Sequence, residues 1–98
     1  MAGDTSHSSI GIPADERERI LMRLRRLEGQ IRGIQAMVED GRECEQTLTQ
    51  FAAASKALDA AAFRFFASTM EQCLLNPDKA SSAGYSPEHL EKMFTRLA

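Results

Sequence analysis

Two thiols, Cys44 and Cys73, are the side chains of this sequence best suited to chemistry. They stand about eight helical turns apart in what reads as one long helix, so both lie on one face. Along that helix they are about 43 Å apart, whereas a disulfide needs Cα atoms within about 7 Å. One straight helix cannot bring them together. An antiparallel pair of identical helices can. Cys44 of one copy then lies opposite Cys73 of the other, with a two-fold axis near Leu58 and Asp59 and two equivalent dithiol sites.

Such thiols can be small buried hydrophobes, redox partners or ligands for a soft metal. Each lies near an end of the helix, where solvent reaches it. Cys44 falls in the first turn, at the positive end of the helix dipole, with the carboxylates of Glu43 and Glu45 opposing that charge and Glu71 close to Cys73. Thr69, one turn before Cys73, stands where a histidine would complete a trio of soft donors, and a hydroxyl is a poor ligand for soft metals. Of the two histidines, His7 is in the N-terminal stretch and His89 is expected as a lone surface residue of the last helix. No cofactor and no metal centre is expected, although two thiolates alone could hold copper(I).

A second feature is basic. Arg17, Arg19, Arg23, Arg25, Arg26 and Arg32 crowd the first third of a chain whose net charge is −2. Arg19, Arg23 and Arg26 follow i, i+4, i+7 spacing on one flank of a helix, continued by Gln30, with Arg25 and Arg32 on the other flank. This is either a solvated face paired with Glu16 and Glu28 or a surface for phosphates. Gly29 and Gly33, costly inside a helix, suggest close approach of another helix or a ligand.

These side chains need helices to hold them. Residues 1–12, rich in Gly, Ser and Thr, are expected as a disordered arm, and residues 13–98 as one helical domain. Asp15 with Glu18 suggests a capping box for a first helix running to about Asp40, where Gly41 stops it. Its seam, Ile20, Leu24, Leu27, Ile31, Ile34 and Val38, alternates steps of four and three. A second helix should start near Arg42 or Glu43 and end at Asn76-Pro77. It is apolar on more than one face and about 48 Å long, more than one subunit of this size can cover, which argues for an obligate oligomer. Residues 78–85 read as a polar linker. Ser86, Pro87 and Glu88 then read as N-cap, first helical position and first-turn acid of a short helix carrying Leu90, Met93, Phe94 and Leu97.

Composition is that of an ordinary globular domain, with 43% hydrophobic and 27% charged residues. No apolar run approaches a membrane span, and Met1 to Gly11, without a basic region followed by an apolar core, does not read as a secretory signal, so the expected location is cytoplasmic, with no membrane partner. There is no Cys-x-x-Cys, no phosphate-cradling glycine loop and no Ser/His/Asp set, so no enzyme is expected.

The run RLRRLEGQIRGIQ from Arg23 to Gln35, then Met37-Val38-Glu39, and Cys44 followed by Leu48 and Gln50, closely resembles the copper-sensitive operon repressor (CsoR) family. The likeness spans about residues 15 to 75. It implies an all-α, three-helix subunit with two long helices and a short C-terminal one. It further implies an antiparallel four-helix-bundle dimer and a disc-shaped dimer of dimers that binds operator DNA until an inducer reaches a cross-subunit site. Copper-sensing members use a cysteine, a histidine and a second cysteine. Here Cys44 and Cys73 match the cysteines, while Thr69 replaces the histidine and Glu43 replaces a tyrosine. That pattern is similar to the persulfide-responsive (CstR-like) branch, in which reactive sulfur species link the two cysteines across the dimer. The expected protein is thus a homotetrameric repressor sensing reactive sulfur through Cys44 and Cys73. Arg23 and Arg26 are its chief phosphate contacts, with Arg19, Arg25 and Arg32 as further candidates. A copper(I) sensor and a helical module with structural cysteines are the alternatives.

Overall fold

The computed structural model describes residues 11–97, so the expected N-terminal arm lies outside the described residues up to position 10, His7 included. Four helices follow one another: α1 (Ala14–Glu39), α2 (Cys44–Leu75), α3 (Pro77–Ser82) and α4 (Pro87–Leu97). No strand occurs among the described residues. The chain is all-α with two long helices, as expected, but the stretch read as a linker opens with a fourth, short helix. No helix among the described residues is long and apolar enough to cross a membrane.

The helix ends follow from local chemistry. The capping box expected from Asp15 and Glu18 does not form. Pro13, with φ −58° and ψ 147°, takes the N-cap position instead, and its carbonyl accepts the first helical bond from Arg17 N at 2.9 Å. Asp15 therefore falls inside the first turn with Glu16, where carboxylates suit the dipole. At the other end Gly41 adopts φ +65°. Arg42 N donates to the carbonyl of Met37 (3.0 Å) and Gly41 N to that of Val38 (3.3 Å), the paired bonds of a Schellman stop. Gly84 repeats this after α3 at φ +86°, with Tyr85 N donating to Ala80 O (2.9 Å) and Gly84 N to Ser81 O (3.0 Å). The proline that ends α2 starts α3: Pro77 sits at the first helical position, where its missing N–H costs nothing. Ser86 caps α4 as expected, its hydroxyl accepting from His89 N at 3.1 Å.

Packing divides the α1 seam in two. Ile20, Leu27 and Ile34, seven residues apart, are buried, whereas Leu24, Ile31 and Val38, the other half, are exposed. Leu27 and Ile34 pack with Ala54 of α2, and the buried residues of α2 on that side, Ala54, Ala61 and Ser68, repeat with the same period. Large side chains on one helix against small ones on the other let the two axes come close. Each buried Ile or Leu contributes about 1.5–3 kcal/mol, but half of the available seam is left unused. The radius of gyration, 17.1 Å, exceeds the roughly 13 Å of a compact chain of this length. The longest dimension is 53 Å and follows from α2.

Gly29 and Gly33 do not mark a close approach within the subunit, since a Cβ added at either meets nothing within 4 Å.

Candidate functional site

Cys44 and Cys73 stand near opposite ends of α2, and both are free thiols. Cys44 is the first residue of the helix and is exposed. The residue before it, Glu43, is the N-cap, its Oε1 accepting from Gln46 N at 2.9 Å. The carboxylate expected merely to oppose the dipole at Cys44 is therefore also part of the helix start. Cys44 opens a ridge of residues seven apart, Cys44, Phe51, Leu58 and Phe65, and every one of them is exposed. Between this ridge and α1 lies an open apolar groove of about 770 Å³, lined in part by Ile31, Val38, Phe51 and Leu58.

Cys73 departs from expectation. It lies on nearly the same face of α2 as Cys44, yet it is only 2% exposed. The cause is the C-terminal segment. Ala80 of α3 and Leu90 of α4 are buried with Cys73 in one cluster, against which Phe66, Met70 and Tyr85 pack. Phe94 holds α4 in place by stacking on Phe66, with ring centres 4.3 Å apart, and by meeting Phe63 edge-on at 6.0 Å. Sequence periodicity does not reveal this cover, because it depends on where α4 folds back. The available signals were Asn76-Pro77-Asp78, a compact helix start, and Gly84, a stop.

Thr69 is partly buried one turn before Cys73. No group of three His, Cys, Asp or Glu side chains placed to hold a metal occurs among the described residues of one copy. His89, an exposed residue of α4 as expected, has its ring 5.9 Å from that of Tyr85.

The arginines of α1 separate into two sets. Arg25 pairs with Glu18 (3.8 Å), Arg32 with Glu28 (3.9 Å) and Arg19 with Glu16 (4.0 Å). Arg23 and Arg26 are exposed and enter no ion pair among the described residues. Arg19 and Arg32 thus meet the acids named from the sequence, Glu16 and Glu28, while Arg25 meets Glu18, and all three arginines stay exposed. Arg23 and Arg26 remain as cations able to meet an outside anion, as does Arg17, whose Nη2 donates to the Ile12 carbonyl at 3.4 Å. A contact that the sequence did not disclose is Arg64 of α2, which grips Glu16 of α1 through Nε–Oε2 and through Nη2–Oε1 at 3.3 Å. These residues are 48 positions apart, beyond the reach of any local pattern.

Comparison with known proteins places this architecture. The sequence profile of the family described as "Metal-sensitive transcriptional repressor" matches residues 16–97. The copper-sensing transcriptional repressor CsoR of Bacillus subtilis is 32% identical over 82 residues, covering 84% of this chain and 81% of its own. The copper-sensing transcriptional repressor RicR of Mycobacterium tuberculosis is 36% identical over 59 residues, 60% of this chain and 62% of its own. Among solved structures, the copper-sensing repressor CsoR with Cu(I) from Geobacillus thermodenitrificans superposes with a TM-score of 0.76 at 31% identity, over 92% of this chain and 94% of that one. The match over both long helices and the C-terminal segment shows that this chain belongs to the CsoR family of metal-sensitive transcriptional repressors.

Proposed function

We propose that this chain is an operator-binding repressor whose release is governed by a dithiol completed between two antiparallel copies, Cys44 of one and Cys73 of the other. One observation carries the reading. The exposed ridge of Cys44, Phe51, Leu58 and Phe65 needs an apolar cover. A second copy of α2 laid antiparallel supplies that cover in the register that sets each Cys44 against a Cys73. Two such dimers form the working tetramer. Arg23 and Arg26 provide phosphate contacts, and Arg19, Arg25 and Arg32 must first leave their acid partners to join them.

The inducer we assign is reactive sulfur. Thr69 beside Cys73 offers no soft third donor, whereas two thiols suffice for sulfur exchange. Cys44, being exposed, attacks first. Its thiolate takes the outer sulfur of a persulfide, forming Cys44–S–SH and releasing the carrier as a thiolate. The Cys73 thiolate of the other copy then attacks the Cys44 sulfur and expels hydrosulfide. The thiols are oxidised to a bridge and the added sulfur is reduced. Where Cys44 carries a longer chain, attack of the Cys73 thiolate on the sulfur next to the terminal one expels hydrosulfide and leaves the extra sulfur in the bridge. The covalent link then biases the dimer toward a shape that fits the operator less well.

Copper(I) is the second reading, favoured by the relatives: all three are named copper-sensing and the solved one contains Cu(I). In this chain it would rest on two thiolates. Mass spectrometry and operator binding after adding polysulfide or copper(I) decide between them. The sulfur reading requires a covalent dimer, with or without added sulfur masses, and operator release, both lost in Cys44→Ser and in Cys73→Ser. Release by copper(I) but not by polysulfide moves the assignment to copper. No salt-dependent DNA binding at all would leave a helical partner-binding module.

A further inference from the structure

A shallow groove of about 530 Å³ runs along the flank of the α1–α2 hairpin away from the exposed ridge. Glu16, Arg23, Phe63, Arg64, Ser68 and Glu71 are among the residues that line it. Its centre is a carboxylate shared between helices. Arg64 grips both oxygens of Glu16, and Arg19 Nη1 approaches Oε1 of the same group at 4.0 Å. The Glu16 side chain is 15% exposed and that of Arg64 39%, so the acid is largely enclosed while the guanidinium reaches the surface. Arg23 lines the same groove and enters no ion pair among the described residues.

A guanidinium held through Nε and Nη2 keeps both hydrogens of Nη1 and one of Nη2. Those hydrogens form a second fork, matched to two oxygens of a phosphate. The first fork fixes the plane of the group, so little side-chain freedom remains to be lost when the second is filled. We infer that Arg64 is a further phosphate-contact residue of the DNA face, contributed by α2, and that Glu16 is its positioning residue. The inference rests on the operator-binding reading above and adds a route by which the thiols reach that face. Arg64 precedes Cys73 by about 13 Å along α2, whereas Arg23 is on α1. A bridge at Cys73 that shifts this end of α2 changes the spacing between the two cations, and a fixed phosphate spacing no longer fits both.

The test is the salt dependence of binding to a duplex selected from random sequence by the wild-type protein. Arg64→Ala should weaken binding about tenfold and flatten the slope of log K against log salt by about 0.9 for each contact removed. Arg64→Lys should keep the wild-type slope with an affinity loss of roughly threefold, since an ammonium retains the charge but not the fork. Glu16→Gln should lower the preference for the selected duplex over random duplex about fivefold, because a freed Arg64 meets any phosphate. An unchanged preference overturns the Glu16 assignment. A wild-type slope in Arg64→Ala, with only its melting temperature lowered, makes the pair structural and overturns the inference. Arg23→Ala is the control: a wild-type slope there as well means that the DNA face itself is misplaced. If Arg64→Ala does not fold, Arg64→Gln carries the same comparison.

Discussion

The two ends of α2 carry the same side chain in opposite settings. Cys44 is exposed at the helix start, preceded by a three-residue turn and the Glu43 cap. Cys73 is enclosed by residues from both helices that follow it. Both ends rely on a glycine with positive φ, Gly41 before Cys44 and Gly84 in the cover over Cys73. The contrast teaches that, in the proposed dithiol, a symmetric pairing of two thiols need not be chemically symmetric. One thiol meets solvent directly, while the other becomes available only when its cover lifts, so the protein can impose an order on a reaction between identical groups.

The largest effect that would expose this difference is in labelling rate. In the reduced protein, iodoacetamide should modify Cys44 at least about 100-fold faster than Cys73, because reaching Cys73 requires local opening that costs a few kcal/mol. Equal rates would show that α3 and α4 do not protect Cys73 in solution. The next effect sharpens the comparison. Leu90→Ala removes a buried side chain beside Cys73 and should cost about 2–4 kcal/mol in chemical denaturation. It should speed labelling of Cys73 and leave Cys44 unchanged, and a matching rise at Cys44 would mean that the two ends do not open independently. The smallest effect comes from the two turns. A Cβ at Gly41 or at Gly84 meets essentially open space, so alanine there costs only its left-handed backbone, about 1 kcal/mol each. Gly84→Ala should raise Cys73 labelling and Gly41→Ala should not. The same response from both variants would remove the local character of the cover.

Much of this architecture is legible in the sequence because long helices repeat their pattern many times. The seam from Ile20 to Val38 identifies α1, the long stretch apolar on more than one face and ended by Asn76-Pro77 identifies α2, and Ser86-Pro87 identifies the start of α4. What periodicity cannot say is which partner a face meets. Ile20 and Leu24 look equivalent in the seam, yet one packs inside the subunit and the other does not. α3 has six residues, too few for any period to register. The capping box failed because Pro13 set the helix start two residues early with backbone geometry alone. The burial of Cys73 and the Arg64–Glu16 grip both depend on tertiary contacts between distant segments, and no local spacing encodes either. Among the arginines, charge spacing marked the helix flank, but only the observed ion pairs set Arg19, Arg25 and Arg32 apart from Arg17, Arg23 and Arg26.

The divided seam of α1 and α2 bears on how long a newly made chain survives. A solitary copy displays Phe51, Leu58, Phe65, Ile31 and Val38 together, an adhesive strip of the kind that chaperones hold and proteases sample. Copies made in excess of what can find cover are the ones most open to removal. The abundance of such a protein is then set by its own encounter rate as well as by its synthesis. A single polar substitution at Leu58, midway between the two thiols along α2, would act first by shortening the life of the chain.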